Sequence, residues 1–504
     1  MHNYLKNIVT SPVYDVAQKT PLSFMAKLSD RLGQQIYAKR EDLQPVFSFK
    51  LRGAYNKMCR LSPEERQRGV ICSSAGNHAQ GVALAASKLG IKAKIVMPTT
   101  TPAIKLEAVK RFGGDFVEIL LHGDFYDEAS QRAHELQNEF GYVYIHPFDD
   151  PDIIAGQGTI GLEILTQYQR AIDAIFVPIG GGGLASGVAL AVKLLRPEIK
   201  IIGVEPQDAA SMTQAVAKNE RIELQSVGIF ADGVAVKQPG EVTFQLIKQY
   251  VDDFVTVSTD EICAAMKDLF EDTRAISEPS GAVALAGLKK WALAQSQKNL
   301  TLMHVVSGAN MNFERLRYIT ERTELGEQRE GLIAVTIPEA AGSFLRFCQA
   351  LADENISEFN YRFQSRERAE IFVGLQLSNG LKQLEAICQR LTAQGYRCEN
   401  LSANELAKNH IRHLLGGSPN EPLERERLFR FGFPERSGAL LHFLETLGSK
   451  YNISLFHYRN KGSDYSSVLV GISGGDDNLD EYLRAIGYKY YEETNNGAYR
   501  RFLI

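Results

Sequence analysis

The sequence predicts an α/β domain built on parallel strands, followed by two copies of a smaller α+β, ferredoxin-like unit. Three observations carry this. Between about residue 34 and residue 310, short β-branched runs alternate with Ala-rich amphipathic stretches. Beyond His304-Val305-Val306 that texture stops. A block of the second half then occurs twice, in the same internal order.

The strand runs of the first part are Gly69 to Cys72, Ala93 to Met97, Phe116 to Ile119, Ala174 to Val177 and Ile201 to Val204. Several lead through Gly- or Ser-rich turns into helical stretches such as Gln80 to Leu89 and Leu184 to Leu195. Strand–turn–helix alternation implies crossover connections and hence parallel strands. Ligands of such open sheets lie at the carboxyl ends of the strands, so the turns are where chemistry is sought. Glu314 to Glu330 is charged and helix-favouring, with Gly326 inside it, and reads as a connecting segment.

The duplication follows. Ile337-Pro338-Glu339-Ala340-Ala341-Gly342-Ser343-Phe344 is echoed 96 positions later by Phe433-Pro434-Glu435-Arg436-Ser437-Gly438-Ala439-Leu440. Asn355-Ile356-Ser357 returns as Asn452-Ile453-Ser454, and Phe372-Val373-Gly374 as Leu469-Val470-Gly471, both 97 positions on. Each copy reads strand, Gly turn, helix, strand, strand, helix, which suits a ferredoxin-like unit. Gly416 to Pro422 is a natural linker between them. The expected domains are residues 1–322, 331–403 and 425–496.

Composition narrows the function classes. At 504 residues, roughly three domains of about 100–200 residues are expected. Hydrophobic residues at 44% and charged residues at 23% are the balance of a globular chain. A net charge of −4 argues against a dedicated nucleic-acid binder, which carries a basic excess. The most apolar stretch, Ala174 to Val192, is interrupted by Pro178 and by Gly180 to Gly183, so no membrane span is expected. Met1 to Thr20 lacks the apolar core of a secretory signal. Six cysteines without a CxxC pair suggest neither a disulfide framework nor a zinc ribbon, and a reduced, cytoplasmic setting is expected.

Four turns hold the candidate chemistry. Lys50, in Ser48-Phe49-Lys50-Leu51-Arg52, sits among apolar neighbours before a helical stretch that runs to Met58. An apolar setting disfavours the ammonium and makes the amine a usable nucleophile and base. An exposed lysine on an amphipathic helix shares the pattern. Ser74-Ala75-Gly76-Asn77-His78 follows a strand, and small residues there let backbone N–H groups meet an anion at a helix N-terminus. An ordinary βα turn with an Asn cap is the alternative, and His78 alone reads as a structural hydrogen-bonder. Gly180-Gly181-Gly182-Gly183-Leu184 is costly in conformational entropy unless the backbone must wrap a group closely, and a phosphate fits that need. It has no GK[ST] and no G-x-G-x-x-G spacing, yet Glu205 lies 22 positions past Gly183, so a Rossmann-like variant stays open. Ser307, in Ser307-Gly308-Ala309-Asn310, offers a hydroxyl at a strand end or simply caps a turn.

Together and in this order the turns resemble the fold-type II pyridoxal-phosphate enzymes, and within them the threonine ammonia-lyases. The likeness spreads over about Thr20 to Glu321 and includes Lys39-Arg40-Glu41-Asp42-Leu43-Gln44, His146-Pro147-Phe148-Asp149-Asp150, Ile154-Ala155-Gly156-Gln157-Gly158-Thr159, Ala231-Asp232-Gly233-Val234 and Ser277-Glu278-Pro279-Ser280-Gly281. The resemblance implies a catalytic domain of two open α/β subdomains. It makes Lys50 the Schiff-base lysine for pyridoxal 5'-phosphate and assigns the cofactor phosphate to Gly180, Gly181, Gly182, Gly183 and Leu184. Asn77 would meet the ring 3-hydroxyl, Ser307 the pyridine nitrogen, and Ser74, Ala75, Gly76, Asn77 and His78 the substrate carboxylate.

The implied reaction is β-elimination of L-threonine, and also L-serine, to a 2-oxo acid and ammonia. A hydroxyl at Ser307 does not force protonation of the ring nitrogen, which favours prompt elimination. Ser307→Asp should therefore lower elimination relative to transamination, and an unchanged product ratio would count against this. Two departures narrow the choice. Related serine racemases carry a second serine where this chain has Ala75, so racemisation should be poor. The segment after Glu205-Pro206 lacks the second acid of their divalent site, so no metal ligand is assigned, and a monovalent ion stays open.

The two repeats resemble the ACT-like regulatory domains of biosynthetic threonine deaminases. That likeness implies feedback inhibition by isoleucine, valine as an opposing effector, and a homotetramer. Gly342, Gly438 and Leu441 are the candidate effector residues, because a Gly turn before a helix presents backbone groups to an amino acid. Deleting Gly331 to Ile504 should abolish the isoleucine response. A catabolic serine/threonine dehydratase is the alternative reading, and the duplicated tail is its contrary feature. A binding protein with an inactive catalytic half is opposed by intact Lys50, Asn77 and Ser307.

Overall fold

The computed structural model describes residues 4–124, 126–340, 342–351, 354–363, 367–409, 411–413, 426–434, 439–447, 451–459, 465–474, 478–497 and 499. The chain divides into two compact units, Met1–Thr323 and Glu324–Ile504.

The strands of the first unit are β1 (Leu22–Phe24), β2 (Gln35–Arg40), β3 (Val70–Ser73), β4 (Ala93–Met97), β5 (Val117–Leu121), β6 (Val143–Tyr144), β7 (Ala174–Pro178), β8 (Lys200–Pro206), β9 (Asp253–Val257) and β10 (Thr301–Val306). They form two sheets, ordered β1-β2-β10-β7-β8-β9 and β5-β4-β3-β6. All of these pairings are parallel except β1 with β2. Parallel sheets are covered on both faces, so their strands are apolar throughout. β7 shows why. Ile175 and Val177 join one apolar cluster with Val188 and Met303, while Ala174 and Phe176 join another with Val283 and Leu302.

Two crossings position the Lys50–Cys59 helix. It packs against Pro151–Gln167 so closely that a Cβ on Gly156 would lie 2.7 Å from the Arg52 carbonyl oxygen. The Pro151–Gln167 helix is itself well started, since Asp150 accepts from the N–H groups of Asp152 (2.8 Å) and Ile153 (3.2 Å) and proline follows it. The second crossing sets Gly81 of the Asn77–Leu89 helix against the Lys50 backbone, where a Cβ would lie 3.1 Å from the Lys50 carbonyl carbon.

The second unit carries β11 (Glu330–Pro338), β12 (Asn355–Arg362), β13 (Arg368–Gln376), β14 (Arg397–Asn400), β15 (Arg427–Pro434), β16 (Asn452–Arg459), β17 (Tyr465–Ser473) and β18 (Tyr490–Glu492). They form one continuous sheet ordered β14-β11-β13-β12-β16-β17-β15-β18. Each copy is a βαββαβ unit, so each has a fourth strand, β14 or β18, that the sequence pattern did not declare. The copies join through antiparallel β12 and β16. That register is two-fold symmetric. Under the 97-residue offset the pair Glu358–Arg459 exchanges with Arg362–Leu455, and Asn360–His457 maps onto itself. A β-bulge recurs in both copies, between Ile356 and Glu358 and between Ile453 and Leu455. The bulge serines bond matching glutamates, Ser357 with Glu330 (2.6 Å) and Ser454 with Glu426 (2.5 Å).

The structure refines one expectation and does not reach two others. The helix-favouring connection Glu314 to Glu330 carries the helix Arg315–Gly326, and its last residue, Glu330, already opens β11. Gly326 is the last residue of that helix, where glycine ends a helix without the penalty it carries inside one. The proposed linker Gly416 to Pro422, and Gly438, lie outside the described residues.

Candidate active site

Lys50 is the first residue of its helix, and the chain entering it is held by the end of β10. Phe49 N–H donates to Ser307 O (3.2 Å), Ala309 N–H donates to Phe47 O (2.9 Å), and Ser48 bridges Gly308. Phe47, on the way into the helix, adopts a φ of 55°, an uncommon conformation for a bulky residue. Lys50 Nζ donates to Pro147 O at 2.7 Å. Desolvation of the amine lowers its pKa to about 8, with the charge of Glu278 acting in the opposite direction. An appreciable neutral fraction near neutral pH is what a nucleophilic or basic lysine requires.

The residue after Pro147 reaches the glycine loop. A Cβ on Gly181 would fall 2.3 Å from the Phe148 ring, one on Gly183 2.9 Å from Phe148 O, and one on Gly180 2.9 Å from Val234 Cα. Gly182 has a φ of 98° and caps the Gly183–Leu195 helix. A side chain at any of these positions would collide with protein atoms. The loop therefore remains bare backbone at the start of a 13-residue helix, the arrangement that binds a phosphate. His146 supports the same turn: its Nδ1 accepts from Phe148 N–H (3.2 Å) and Asp149 N–H (2.7 Å). Burial lowers the His146 pKa to about 4, which keeps that nitrogen an acceptor.

On the other side, β3 ends at Ser73 and the turn Ser74 to Gly76 leads into the Asn77–Leu89 helix. Asn77 is clamped at both ends of its amide. Its Oδ1 accepts from Asn310 Nδ2 (2.6 Å), and its Nδ2 donates to Glu278 Oε1 (2.6 Å). Ser307 Oγ donates to Ser280 O (3.2 Å), which joins the β10 end to the Pro279–Leu293 helix. The His78 ring is turned away from the site: Nε2 pairs with Ile145 O at 2.8 Å, and burial lowers its pKa to about 3. Only its backbone remains for a substrate carboxylate. Glu205 is likewise committed, accepting from Met212 N–H (3.0 Å), Thr213 N–H (2.7 Å) and the Thr213 hydroxyl (2.5 Å). It starts the next helix, which removes the Rossmann-like reading. Among the described residues, no group of three or more His, Cys, Asp or Glu is placed to hold a metal ion.

The four turns thus form one network: Lys50 to Pro147 and Phe148, Phe148 to the glycine loop, Lys50's entry to Ser307, and Ser307's neighbours to Asn77. A desolvated amine, a bare-backbone anion cradle and an oriented amide fit pyridoxal phosphate. Ser48 and Ser277 add buried hydroxyls without protein partners beside this network. Glu278 and Asn310, which fix Asn77, had no role assigned from sequence. Both sit inside motifs that the sequence singles out, but nothing local says that they converge on a residue 201 or 233 positions away.

Fold and site are those of a pyridoxal-phosphate dependent enzyme, and the sequence profile of the family of that description matches residues 13–308. A second profile, the C-terminal regulatory domain of threonine dehydratase, matches residues 321–411 and 420–503. The biosynthetic L-threonine dehydratase of Escherichia coli is 54% identical over 99% of this chain and 97% of its own length. That of Burkholderia multivorans is 53% identical over 100% and 99%. Among solved structures, the processed form of threonine deaminase isoform 2 from Solanum lycopersicum is 53% identical, with a TM-score of 0.62 over 64% of this chain and 88% of that one. Maize serine racemase, 35% identical, gives a TM-score of 0.59 over 63% and 96%. The chain belongs to the biosynthetic threonine dehydratases.

Proposed function

We propose that this enzyme converts L-threonine, and less specifically L-serine, to the 2-oxo acid and ammonia, and that isoleucine inhibits it through residues 324–504. The single observation that carries the catalytic part is Lys50, an amine with a pKa lowered to about 8 in the network that also holds the glycine loop and Asn77.

When bound, pyridoxal phosphate supplies a carbonyl that bonds amines and a ring that accepts the electrons released at the substrate Cα. Gly180 to Leu184 would hold its phosphate, Asn77 its 3-hydroxyl side and Ser307 its ring nitrogen. The backbone of Ser74 to His78, at the start of a 13-residue helix, orients the substrate carboxylate. Lys50 Nζ would take the proton from the substrate Cα. Ala75 provides no acid on the opposite face, so the proton would not be returned there; the Cα proton and the β-hydroxyl would leave together as one water. Hydrolysis of the resulting enamine releases ammonia.

For the regulatory part, Gly342 has a φ of 83° and caps the Ser343–Ala350 helix. Glu339 on the same turn is bonded by Tyr361 and by Asn452 Nδ2 (3.1 Å), a residue of the other copy. An effector at this turn would press on both copies at once, which supports a role for Gly342. Leu441, in the Ala439–Leu447 helix of the second copy, corresponds to Leu345 of the first and lies one turn past the Gly342-equivalent position. Allostery further requires two states that isoleucine binds unequally. The same reading makes valine the opposing effector, the assembly a homotetramer and the cytoplasm its location.

The test is direct. Purified enzyme should show a visible band that borohydride abolishes, and should form oxo acid from threonine. Isoleucine should lower that rate in the full chain and not in one lacking residues 331–504. A protein that cannot be loaded with the cofactor would overturn the catalytic reading, and equal inhibition of both chains would overturn the regulatory one.

A further inference from the structure

Glu278 is built into the site in an unusual way. It is the N-cap residue of the Pro279–Leu293 helix, yet its side chain makes no capping bond. An N-cap carboxylate ordinarily accepts from the N–H groups of the first turn. Here it turns inward instead and is 4% exposed. Oε1 accepts from Asn77 Nδ2 (2.6 Å) and from Ser280 Oγ (2.9 Å), and a Cβ on Gly308 would lie 2.6 Å from that oxygen.

The opposite end of Asn77 is fixed as well. Asn310 Nδ2, which also bonds Val46 O (2.8 Å), donates to Asn77 Oδ1 (2.6 Å). The amide therefore has one orientation, oxygen toward Asn310 and nitrogen toward Glu278. An amide nitrogen carries two hydrogens. Glu278 takes one, and the other is left in a set direction.

We propose that Glu278 is a positioning residue for the cofactor ring: by holding one Asn77 amide hydrogen, it aims the second at the ring's 3-oxygen. This rests on the reading of Lys50 and Asn77 above. The charged groups that act on Glu278 are Asp232, Lys105 and Lys50. Desolvation, then Asp232, raises the carboxyl pKa to about 7, so the site keeps an expensive acceptor where an uncharged residue would be easier to bury.

A donor to the ring oxygen favours the form in which the shared proton resides on the Lys50 nitrogen, and that form absorbs at longer wavelength. The experiment records the visible spectrum of full-length, cofactor-loaded Glu278→Ala, Glu278→Gln, Asn77→Ala and the double variant Glu278→Ala/Asn77→Ala. Losing one oriented hydrogen bond should lower the long- to short-wavelength ratio about fivefold in Glu278→Ala. Glu278→Gln keeps an acceptor oxygen and should restore the wild-type ratio. Asn77→Ala should match Glu278→Ala, and the double variant should add nothing further.

An unchanged ratio in Glu278→Ala overturns the proposal. So does an equal shift in Glu278→Gln, which would mean that charge acts directly. Full additivity in the double variant also overturns it. Should Glu278→Ala not fold, the wild-type ratio in Glu278→Gln set against a lowered ratio in Asn77→Ala still decides, since a shifted Glu278→Gln refutes it. Lys50→Ala separates the two levels: if the wild-type band survives in that variant, the assignment of Lys50 fails rather than that of Glu278.

Discussion

Replacing Arg52 with methionine would test how the site is anchored. Arg52 lies two residues past Lys50 on the same helix and is wholly buried. All five of its N–H groups are used. Nε and Nη2 grip Glu41 (2.8 Å each), Nη1 meets Glu163 (2.6 Å) and Thr159 (3.0 Å), and Nη2 also reaches Gln18 O (3.1 Å). Lys39 completes the set with Glu163 (2.5 Å), Thr20 O (2.6 Å) and Gln167 (3.0 Å). Two cations and two anions thus balance in a dry pocket. Removing Arg52 leaves two buried carboxylates facing Lys39 alone, a loss of about 3–5 kcal/mol.

The assay is built in. The chain has one tryptophan, Trp291, packed 5.7 Å from Phe176 in the first unit, so its fluorescence in a urea titration reports that unit's unfolding. The pH dependence gives a second check. Burial alone would raise the Glu41 pKa, but Arg52 and Thr20 more than offset it and hold the carboxyl below its ordinary value. That contribution to stability is complete above the unfolded pKa and is lost as pH falls through the folded one. Without Arg52 the Glu41 pKa rises, so the deficit should be largest near neutrality and shrink toward acid. A loss below about 1 kcal/mol at neutral pH would refute the dry, balanced cluster.

Further outcomes follow from the site. Lys50→Met should abolish the visible band while stabilising the cofactor-free protein by up to about 3 kcal/mol at neutral pH. The folded pKa of about 8 is depressed, so the wild type recovers that difference as pH rises toward the unfolded value of 10.5, and urea midpoints across pH check it. Gly181→Ala places a methyl 2.3 Å from the Phe148 ring. It should cost about 1–3 kcal/mol of stability and at least tenfold in cofactor affinity, measured by equilibrium dialysis.

Much of the architecture was legible. The runs Ala93 to Met97 and Ala174 to Val177 are strands because β-branched and apolar residues continue without a polar face, as a sheet covered on both sides requires. β14 was not legible: Arg397–Asn400 is polar and short, and pairs only with β11. The helix Arg315–Gly326 falls in the segment read as helix-favouring. The candidate turns were legible as glycine and small-residue clusters, but the groups that orient them were not. His146, Asn310 and Glu278 lie in segments that the sequence singles out, but their partners are set by tertiary contact.

Residue type and spacing alone set the alternation that makes parallel sheets, the duplication of the tail, and the two separate signals of Lys50 in an apolar setting and a four-glycine run. Those are local properties, carried by residue type and spacing. Folding brings Lys50 against Pro147 in a setting that lowers its pKa to about 8, and clamps Asn77 between Asn310 and Glu278. It also joins the two tail copies in one two-fold symmetric sheet. Burial and pairing between distant segments set a group's charge and direction, and neither is encoded in its neighbours along the chain.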